Sequence, residues 1–279
     1  MGRLEGKRAL VLGAAGRGNM AQTIARRFAQ EGAQVMVAGR NKDELERLAA
    51  AIGGHANACD ITRKADCAAL AAAARARMGG IDIALNGAGW GLLKPFELTT
   101  EDELRRIAEL QFIGPFFFFQ SVLGAMEGPG SLIQISSATA TIMLDDHAAY
   151  MGTKAGFDHV VRCIANQYGA RGIRANSISP GLTASPMTAG ARAVPGVFET
   201  YQACYPLGRL GTQDDIAAAA VYLASDECFM TGQNLQVNGG LTLRRNPTAA
   251  ELDAAAIART GRPRPRPWLA AQEECGVDR

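Results

Sequence analysis

Short apolar runs alternate with longer stretches of helical periodicity along most of the chain. The runs span four to seven residues and predict strands, whereas the longer stretches between them predict helices. Parallel strands joined by such helices form right-handed crossovers, so the sheet is covered on both faces. The pattern therefore predicts an α/β fold with a doubly wound parallel sheet and helices on both faces. The predicted strands are RALVL (8–12), QVMVA (34–38), HANAC (55–59), IDIAL (81–85), SLIQIS (131–136), IRANSIS (173–179) and NLQV (234–237).

The composition changes near residue 243, where the predicted sheet ends. We predict a single domain over 1–243 and a C-terminal extension over 244–279 that is partly rich in proline and arginine. In the extension, residues 250–258 favour a short helix, whereas the alternating prolines of 261–268 hold the chain extended. Two interpretations stay open. Composition favours a loosely ordered surface appendage, and the alternative is an arm that covers the active site or packs on another subunit. The anchors of such an arm would be Trp268 and Leu269.

Composition and charge argue against several classes of function. A net charge of +2 over 279 residues provides no basic surface for nucleic acid or an anionic membrane. No run of 18 apolar residues is present, and the N-terminal apolar stretch is too short for a signal peptide, so we expect a cytoplasmic protein. The six cysteines are scattered without a CxxC pair, which favours reduced thiols and no metal site.

Three polar side chains in the second half of the chain indicate acid–base chemistry. Tyr150 and Lys154 are four residues apart, so on a helix they share one face. A phenol has a reference pKa of about 10, and a nearby ammonium group stabilises the phenolate and lowers that value. Such a tyrosine takes a proton from an alcohol or gives one to a carbonyl oxygen. We expect Ser137, at the end of a strand, to hold the same substrate oxygen.

The turn after the first predicted strand is rich in glycine and predicts a phosphate-binding site. VLGAAGRGNMA (11–21) joins this strand to the first helix. Glycines let the backbone approach a pyrophosphate, and the N-terminus of the helix supplies free N–H groups and partial positive charge. A glycine-rich turn at this place in an alternating β/α chain is a much stronger signal than glycines alone. The predicted cofactor-binding residues here are Gly13, Ala15, Arg17, Gly18, Asn19 and Met20.

The end of the second strand indicates which dinucleotide binds. A carboxylate there would bind the adenosine 2′-hydroxyl group of NAD, but in this chain Gly39 is followed by Arg40. With Lys42 and Arg17 nearby, the guanidinium group of Arg40 is suited to a 2′-phosphate group, so we predict NADP in preference to NAD. The alternative, that Arg40 and Lys42 only solvate the start of a helix, stays open.

Together these motifs resemble those of the short-chain dehydrogenase/reductase family, over about residues 5–243. Ser137, Tyr150 and Lys154 match its catalytic serine, tyrosine and lysine, with three residues between the last two. The resemblance implies a Rossmann-like catalytic domain that binds NAD(P). It also implies cofactor contacts in the motifs CDIT, NGAG and SPGLTASPM. Besides Tyr150 and Lys154, these contacts are Asp60, Ile61, Asn86, Ala88, Gly89, Pro180, Gly181, Thr183 and Ser185.

Three positions depart from the pattern of the family, and for one of them, Asn238 in place of the usual aspartate of VDGG, we expect little catalytic effect. The glycine turn also fits Gly13-x5-Asn19-x-Ala21, which is similar to the turn of the enoyl-acyl-carrier-protein reductases, although those enzymes have six residues between tyrosine and lysine. Gln111 stands where the family usually has an asparagine whose main-chain carbonyl supports a proton relay. Pro115 lacks the N–H group that would bond this carbonyl in a helix. We therefore predict that the relay survives and that Gln111 is a catalytic residue.

The resemblance implies hydride transfer between NADP(H) and a secondary alcohol or ketone, with Tyr150 as acid or base. Apolar residues in 90–96, 138–147 and 186–205 predict a hydrophobic substrate, and steroid-like, terpenoid, aromatic and other cyclic compounds all fit. His147 either reaches this pocket or, as is more usual at the start of a helix, acts as a cap or surface group. The predicted substrate contacts are Trp90, Met143, Met187 and Tyr201.

The run PFFFFQ (115–120) places aromatic side chains on more than one face of a helix, which predicts a subunit interface. The family resemblance implies a homotetramer, with a homodimer as the alternative. Two other functions stay open: an enoyl reductase, and a nicotinamide-binding protein without catalysis. The intact serine, tyrosine and lysine argue against the second, because a binding protein has no need of an acid–base tyrosine.

Overall fold

The computed structural model describes residues 2–266, which form a seven-stranded parallel sheet. The strand order is β3-β2-β1-β4-β5-β6-β7. The order reverses between β1 and β4, and a crevice for ligands forms at the carboxyl ends of the strands at such a point. The predicted doubly wound α/β fold is therefore confirmed. The strands are β1 (Arg8–Leu12), β2 (Gln34–Gly39), β3 (His55–Ala58), β4 (Ile83–Asn86), β5 (Gly130–Ile135), β6 (Ile173–Pro180) and β7 (Asn234–Val237).

Ten α-helices occur in the same part of the chain. They are α1 (Met20–Gln30), α2 (Lys42–Ile52), α3 (Lys64–Met78), α4 (Glu101–Ala108), α5 (Gly114–Ala125), α6 (Ala148–Tyr168), α7 (Ala189–Arg192), α8 (Val197–Ala203), α9 (Gln213–Ala224) and α10 (Ala249–Thr260). Local sequence fixes several of their starts. Thr100, Thr212 and Thr248 each form a capping box with an acidic residue three positions later, at α4, α9 and α10.

The sheet separates two apolar cores. On one face it packs against α1, α2 and α9, with Phe28 fully buried. On the other face it packs against α3, α5 and α6, with Phe118 and Phe157 fully buried. Both faces of the strands are thereby covered, which explains why the strands appear in the sequence as continuous apolar runs.

A π-helical turn at Glu109–Ile113 joins α4 to α5, where the sequence predicts one continuous helix. The N–H group of Gly114 bonds to the Glu109 carbonyl five residues earlier, and Pro115 has no N–H group to donate. By length and composition alone, the stretch Glu101–Ala125 is apolar enough to cross a membrane. Phe118 and Phe119 are nevertheless buried inside the domain, as is typical of a core helix.

The C-terminal extension packs on the domain as far as it is described. The predicted helix over 250–258 is present as α10, and it lies against α8. Leu252 of α10 shares an apolar cluster with Val197 and Tyr201 of α8. The two predicted anchors, Trp268 and Leu269, lie outside the described residues.

Candidate active site

A cavity of about 630 Å³ opens at the carboxyl ends of the strands. It begins at the glycine turn after β1, passes the ends of β4 and β5, and reaches α7 and α8. Its volume falls within the usual range for small-molecule and cofactor sites. Open α/β sheets bind ligands at this edge, so the cavity is the candidate active site.

The glycine turn brings two chain segments into close contact. Gly13 has φ of +95°, and a β-carbon at this position would lie 2.5 Å from the main-chain nitrogen of Ala88. Asn19 Nδ2 donates to the Gly13 carbonyl at 2.7 Å, while its Oδ1 accepts from the N–H group of Gln22 at 3.0 Å. Asn19 therefore fixes the turn and caps α1, which leaves a helix N-terminus beside a wall without side chains, as a pyrophosphate requires.

Most of the predicted cofactor-binding residues line this cavity, and three do not. Arg17 and Gly18 lie on the exposed part of the turn. Asn86 is fully buried, where its Nδ2 donates to Gln134 Oε1 at 2.9 Å and its Oδ1 accepts from Ala88 N–H at 3.1 Å. Besides Tyr150 and Lys154, the predicted residues in the wall are Gly13, Ala15, Asn19, Met20, Arg40, Asp60, Ile61, Ala88, Gly89, Pro180, Gly181, Thr183 and Ser185.

A carboxylate and a guanidinium group flank the far end of the cavity. Asp60 Oδ1 accepts hydrogen bonds from the N–H and Oγ1 of Thr62, at 3.0 and 2.8 Å. Burial by itself raises the pKa of Asp60, but these bonds and the charge of Arg40 outweigh it and hold the pKa below its ordinary value. β2 ends at Gly39 without a carboxylate, and a β-carbon there would meet Ala15 at 2.6 Å. These residues fit the adenosine half of a dinucleotide.

Ser137, Tyr150 and Lys154 meet on the wall of the same cavity. Ser137 follows β5, while Tyr150 and Lys154 lie on α6, and the Ser137 hydroxyl is hydrogen-bonded to Thr139 Oγ1 at 2.9 Å. Lys154 is 4% exposed, and its Nζ donates to the Ile135 carbonyl at 2.8 Å and lies 5.5 Å from the centre of the Tyr150 ring. The hydroxyl, the phenol and the ammonium group are thus held together by two adjoining elements of the fold.

Comparisons with known proteins agree with this geometry. A family model described as "Enoyl-(Acyl carrier protein) reductase" matches residues 13–242. The D-threitol dehydrogenase of Mycolicibacterium smegmatis is 36% identical, over 87% of this chain and 95% of its own. The 7alpha-hydroxysteroid dehydrogenase of Escherichia coli is 37% identical, over 85% of this chain and 95% of its own. A short-chain type dehydrogenase/reductase from Mycobacterium ulcerans matches with a TM-score of 0.85 and 30% identity, over 90% and 95% of the two chains.

The chain belongs to the short-chain dehydrogenase/reductase family. The family membership expected from the motifs is therefore confirmed. As a member of this family, the protein is an NAD(P)-dependent oxidoreductase that acts on CH–OH and C=O groups.

In this short-chain dehydrogenase/reductase the pKa of the Tyr150 phenol is raised. Burial raises the pKa of Tyr150 to about 12, and the nearby Ser137 hydroxyl offsets only part of the effect. Burial also lowers the pKa of Lys154 to about 8, against the opposing charge of Asp158. The expected lowering of the phenol pKa by Lys154 is wrong in this geometry, because burial dominates. Tyr150 is consequently protonated at neutral pH, the form that gives a proton to a carbonyl oxygen.

A buried carboxylate one helical turn after Lys154 has no counterpart in the sequence-based predictions. Asp158 Oδ2 accepts from Ser136 Oγ at 2.7 Å and from Asn234 Nδ2 at 2.6 Å. Burial raises the pKa of Asp158, and the hydroxyl of Ser177, together with these two bonds and the charge of Lys154, acts in the opposite direction. Asp158 comes four residues after Lys154, the same i, i+4 spacing that relates the lysine to the tyrosine. This spacing is the signal in the sequence that could have identified it.

Gln111 is buried in the π-helical turn, and its side chain joins two parts of the site. Its Oε1 accepts from the N–H group of Trp90 at 3.1 Å, and its Nε2 donates to Thr153 Oγ1 at 3.0 Å. The Thr153 hydroxyl in turn donates to the Tyr150 carbonyl at 2.9 Å. The side chain of Gln111 therefore holds the loop after β4 against the catalytic helix. The proton relay through its main-chain carbonyl stays a prediction.

His147 is part of the cavity wall, which the sequence left open against a role as cap or surface group. Its ring stacks on that of Tyr150, with 4.3 Å between ring centres and 26° between the planes. Burial lowers the pKa of His147 to about 4, so the imidazole is neutral at neutral pH. Its Nδ1 is buried without a hydrogen-bond partner among residues 2–266. The ring restricts the phenol to one orientation without adding a charge beside it.

The structure brings two of the four predicted substrate contacts to the cavity, namely Met187 and Tyr201. Trp90 and Met143 do not line it. The ring of Trp90 lies 4.4 Å below the guanidinium group of Arg106, and the Met143 residue is 72% exposed. Instead, a residue that the sequence did not indicate, Asn246 of the C-terminal extension, contributes to the wall.

Proposed function

We propose that this short-chain dehydrogenase/reductase interconverts a hydrophobic secondary alcohol and its ketone with NADP(H). The observation that carries the proposal is the meeting of Ser137, Tyr150 and Lys154 on the cavity that contains the glycine turn. Beyond these groups the wall includes Leu144 and Met187, which favour an apolar body in the substrate. Steroid-like, terpenoid, aromatic and other cyclic compounds fit this description.

Each side chain of the site has a defined task in the proposed reaction. When bound, the nicotinamide cofactor supplies or accepts the hydride. Ser137 and Tyr150 hold the substrate oxygen, and in the reductive direction Tyr150 Oη gives its proton to that oxygen. In the oxidative direction the phenolate takes the proton of the alcohol. Lys154, fixed by the Ile135 carbonyl, places a positive charge near that phenolate.

A screen of cyclic, steroid-like, terpenoid and aromatic alcohols and ketones tests this proposal. Turnover is monitored by nicotinamide absorbance with both cofactors. We expect activity with at least one of these classes and a higher kcat/KM with NADP(H) than with NAD(H). Absence of turnover across the panel, with NADPH bound normally, would contradict the proposal.

The preference for NADP(H) rests on Arg40 rather than on the other two basic residues near the end of β2. Arg40 lines the cavity beside Asp60. Lys42 pairs with Glu46 at 3.6 Å on α2 and does not line this cavity. Arg17 is also outside the wall. The guanidinium group of Arg40 is therefore the group positioned to meet a 2′-phosphate.

We expect Arg40→Ala to raise KM for NADPH by about ten- to a hundredfold, the size of a lost hydrogen bond to a charged group. The KM for NADH changes less than threefold, because NADH has no 2′-phosphate. Steady-state kinetics with both cofactors checks this, and Lys42→Ala is the matched control that leaves both values unchanged. An equal rise in KM for NADPH and NADH would show that Arg40 does not bind the 2′-phosphate group.

A second candidate function is reduction of a conjugated C=C bond. The description of the matching family model and the turn Gly13-x5-Asn19-x-Ala21 favour it. The three-residue spacing between Tyr150 and Lys154 favours carbonyl chemistry instead. A conjugated enone and NADPH separate the two reactions, because carbonyl reduction gives an allylic alcohol whereas C=C reduction gives a saturated ketone.

We further propose a cytoplasmic homotetramer or homodimer that forms through α5 and α6. Phe112, Ile113 and Phe116 are between 37% and 48% exposed, which leaves an apolar strip on the helix. A β-carbon at Gly156 of α6 would lie 3.3 Å from the Phe112 ring, so the strip continues onto the catalytic helix. Apolar surface of this kind usually marks an interface.

Phe116→Asp is expected to shift the protein to a smaller assembly, because it would bury a carboxylate in an apolar contact. Light scattering after size-exclusion chromatography measures the mass. The control is Phe229→Asp, the same change at an exposed phenylalanine on another part of the surface. The interface lies elsewhere if both variants keep the mass of the wild type.

A further inference from the structure

The C-terminal extension places one polar side chain in the substrate end of the cavity. Asn246 is 6% exposed and belongs to the wall that also contains Met187 and Tyr201. It lies beyond residues 13–242, the part of the chain that the family model matches.

The orientation of the Asn246 amide follows from its one hydrogen bond. Its Nδ2 donates to the Met143 carbonyl at 2.9 Å. A carbonyl oxygen accepts and cannot donate, so the amide nitrogen must face Met143. The amide oxygen of Asn246 takes no part in this bond. Asn246 Oδ1 has no hydrogen-bond partner within residues 2–266, and it is not among the fully enclosed unpaired atoms there. An acceptor is therefore available in a wall that is otherwise largely apolar.

The extension holds this amide in place from two sides of the cavity. The N–H group of Ala249 donates to Asp145 Oδ2 at 2.7 Å, which ties the start of α10 to the loop before α6. At the other side, a β-carbon at Gly196 would lie 2.8 Å from the Ala255 carbonyl, so α10 sits directly on the start of α8. Arg264 Nε donates to Asp253 Oδ1 at 2.9 Å, which ties the end of the extension to α10. The acceptor is thereby preorganised, which makes it able to select between ligands.

Leaving a carbonyl oxygen unpaired under a bound ligand weakens binding, and this loss disappears when the ligand donates a hydrogen bond to the oxygen. An apolar substrate would leave Oδ1 unpaired, whereas a substrate with a hydroxyl group at this point would satisfy it. We propose that Asn246 is a specificity-determining residue that binds a second hydroxyl group of the substrate. Resting on the proposed alcohol–ketone function, this assigns the substrate to hydroxylated cyclic alcohols or ketones.

The test compares a cyclic diol with the mono-alcohol of the same ring, using NADP and the full-length protein. We expect the wild type to prefer the diol by tenfold or more in kcat/KM. Asn246→Ala lowers kcat/KM for the diol by about tenfold, as expected for one hydrogen bond, and leaves the mono-alcohol within threefold. Asp145→Ala is the comparison variant: it loosens the extension that positions the acceptor without removing the acceptor, so it lowers the preference for the diol by less than Asn246→Ala does.

Equal losses for the two alcohols in Asn246→Ala would assign the residue to structure and overturn the inference. If the alanine variant does not fold, Asn246→Leu, which keeps the branching and the number of side-chain heavy atoms, replaces it. If the wild type oxidises neither alcohol, the proposed function fails, and binding decides the inference separately. The diol then raises the melting temperature of the wild type with NADP more than the mono-alcohol does. The inference is wrong if Asn246→Ala keeps that difference.

Discussion

Tyr150→Phe is expected to lower turnover of both alcohol and ketone by at least about 10²–10⁴-fold, the usual size of a general acid–base contribution. The variant removes one oxygen and keeps the ring, so the stacking with His147 is retained. NADPH affinity and the melting temperature should stay close to those of the wild type. Stopped-flow or steady-state rates, with NADPH binding measured by fluorescence, check all three expectations.

Tyr201→Phe provides the matched control for this variant. Tyr201 is also a buried phenol on the cavity wall, and burial raises its pKa to about 12 as well. Tyr201 lies on α8, away from Ser137 and Lys154. The turnover of Tyr201→Phe should therefore remain within about threefold of that of the wild type. Comparable losses in the two variants would mean that the cavity merely needs a polar group and that Tyr150 has no special role.

The pH dependence gives a second check on the same assignment. Reduction needs the protonated phenol, which a pKa of about 12 maintains throughout the neutral range. Oxidation needs the phenolate, whose fraction grows with pH up to that value. Lys154, with a pKa of about 8, keeps its charge beside the phenolate only below that pH, so we expect kcat/KM for oxidation to rise between pH 6 and 8, while kcat/KM for reduction changes little. An oxidation rate that falls over this range would contradict the role of Tyr150 as base.

The fold is predictable from sequence where local pattern and tertiary packing demand the same structure. β1 begins and ends at the predicted residues, because a strand covered on both faces requires continuous apolar side chains. The short helices α7 and α8 have no such signal. Val197 and Tyr201 share an apolar cluster with Leu252 of the extension, a contact that no local pattern records.

In the candidate site, the sequence likewise predicts where side chains lie but not their pKa values. The spacing of Tyr150 and Lys154 correctly places both on one helix, since helical geometry is local. The pKa of the phenol depends instead on burial, which is created by the surrounding chain, and the sequence-based expectation has the wrong sign. Asn246 escapes prediction for a related reason, since only the packing of α10 on α8 brings it to the cavity.

Gly13→Ala is expected to abolish detectable NADPH binding. The new β-carbon would lie 2.5 to 2.9 Å from main-chain atoms of Gly87 and Ala88, so one of the two segments that form the cofactor wall must move. Backbone atoms cannot rotate away as a side chain does, and the shift would displace the residues beside the phosphate-binding turn. Fluorescence titration with NADPH measures the affinity, and thermal unfolding reports the accompanying loss of stability.

Gly18→Ala separates this steric effect from backbone strain. Gly18 also has a positive φ, +68°, but a β-carbon there would meet no atom within 4 Å. The substitution Gly18→Ala therefore lowers the free energy of unfolding only by the cost of a left-handed conformation at a non-glycine residue, about 1 kcal/mol. We expect its NADPH affinity to stay within about fivefold of the wild type. If the two variants lost affinity equally, flexibility of the turn would matter more than the close contact between the ends of β1 and β4.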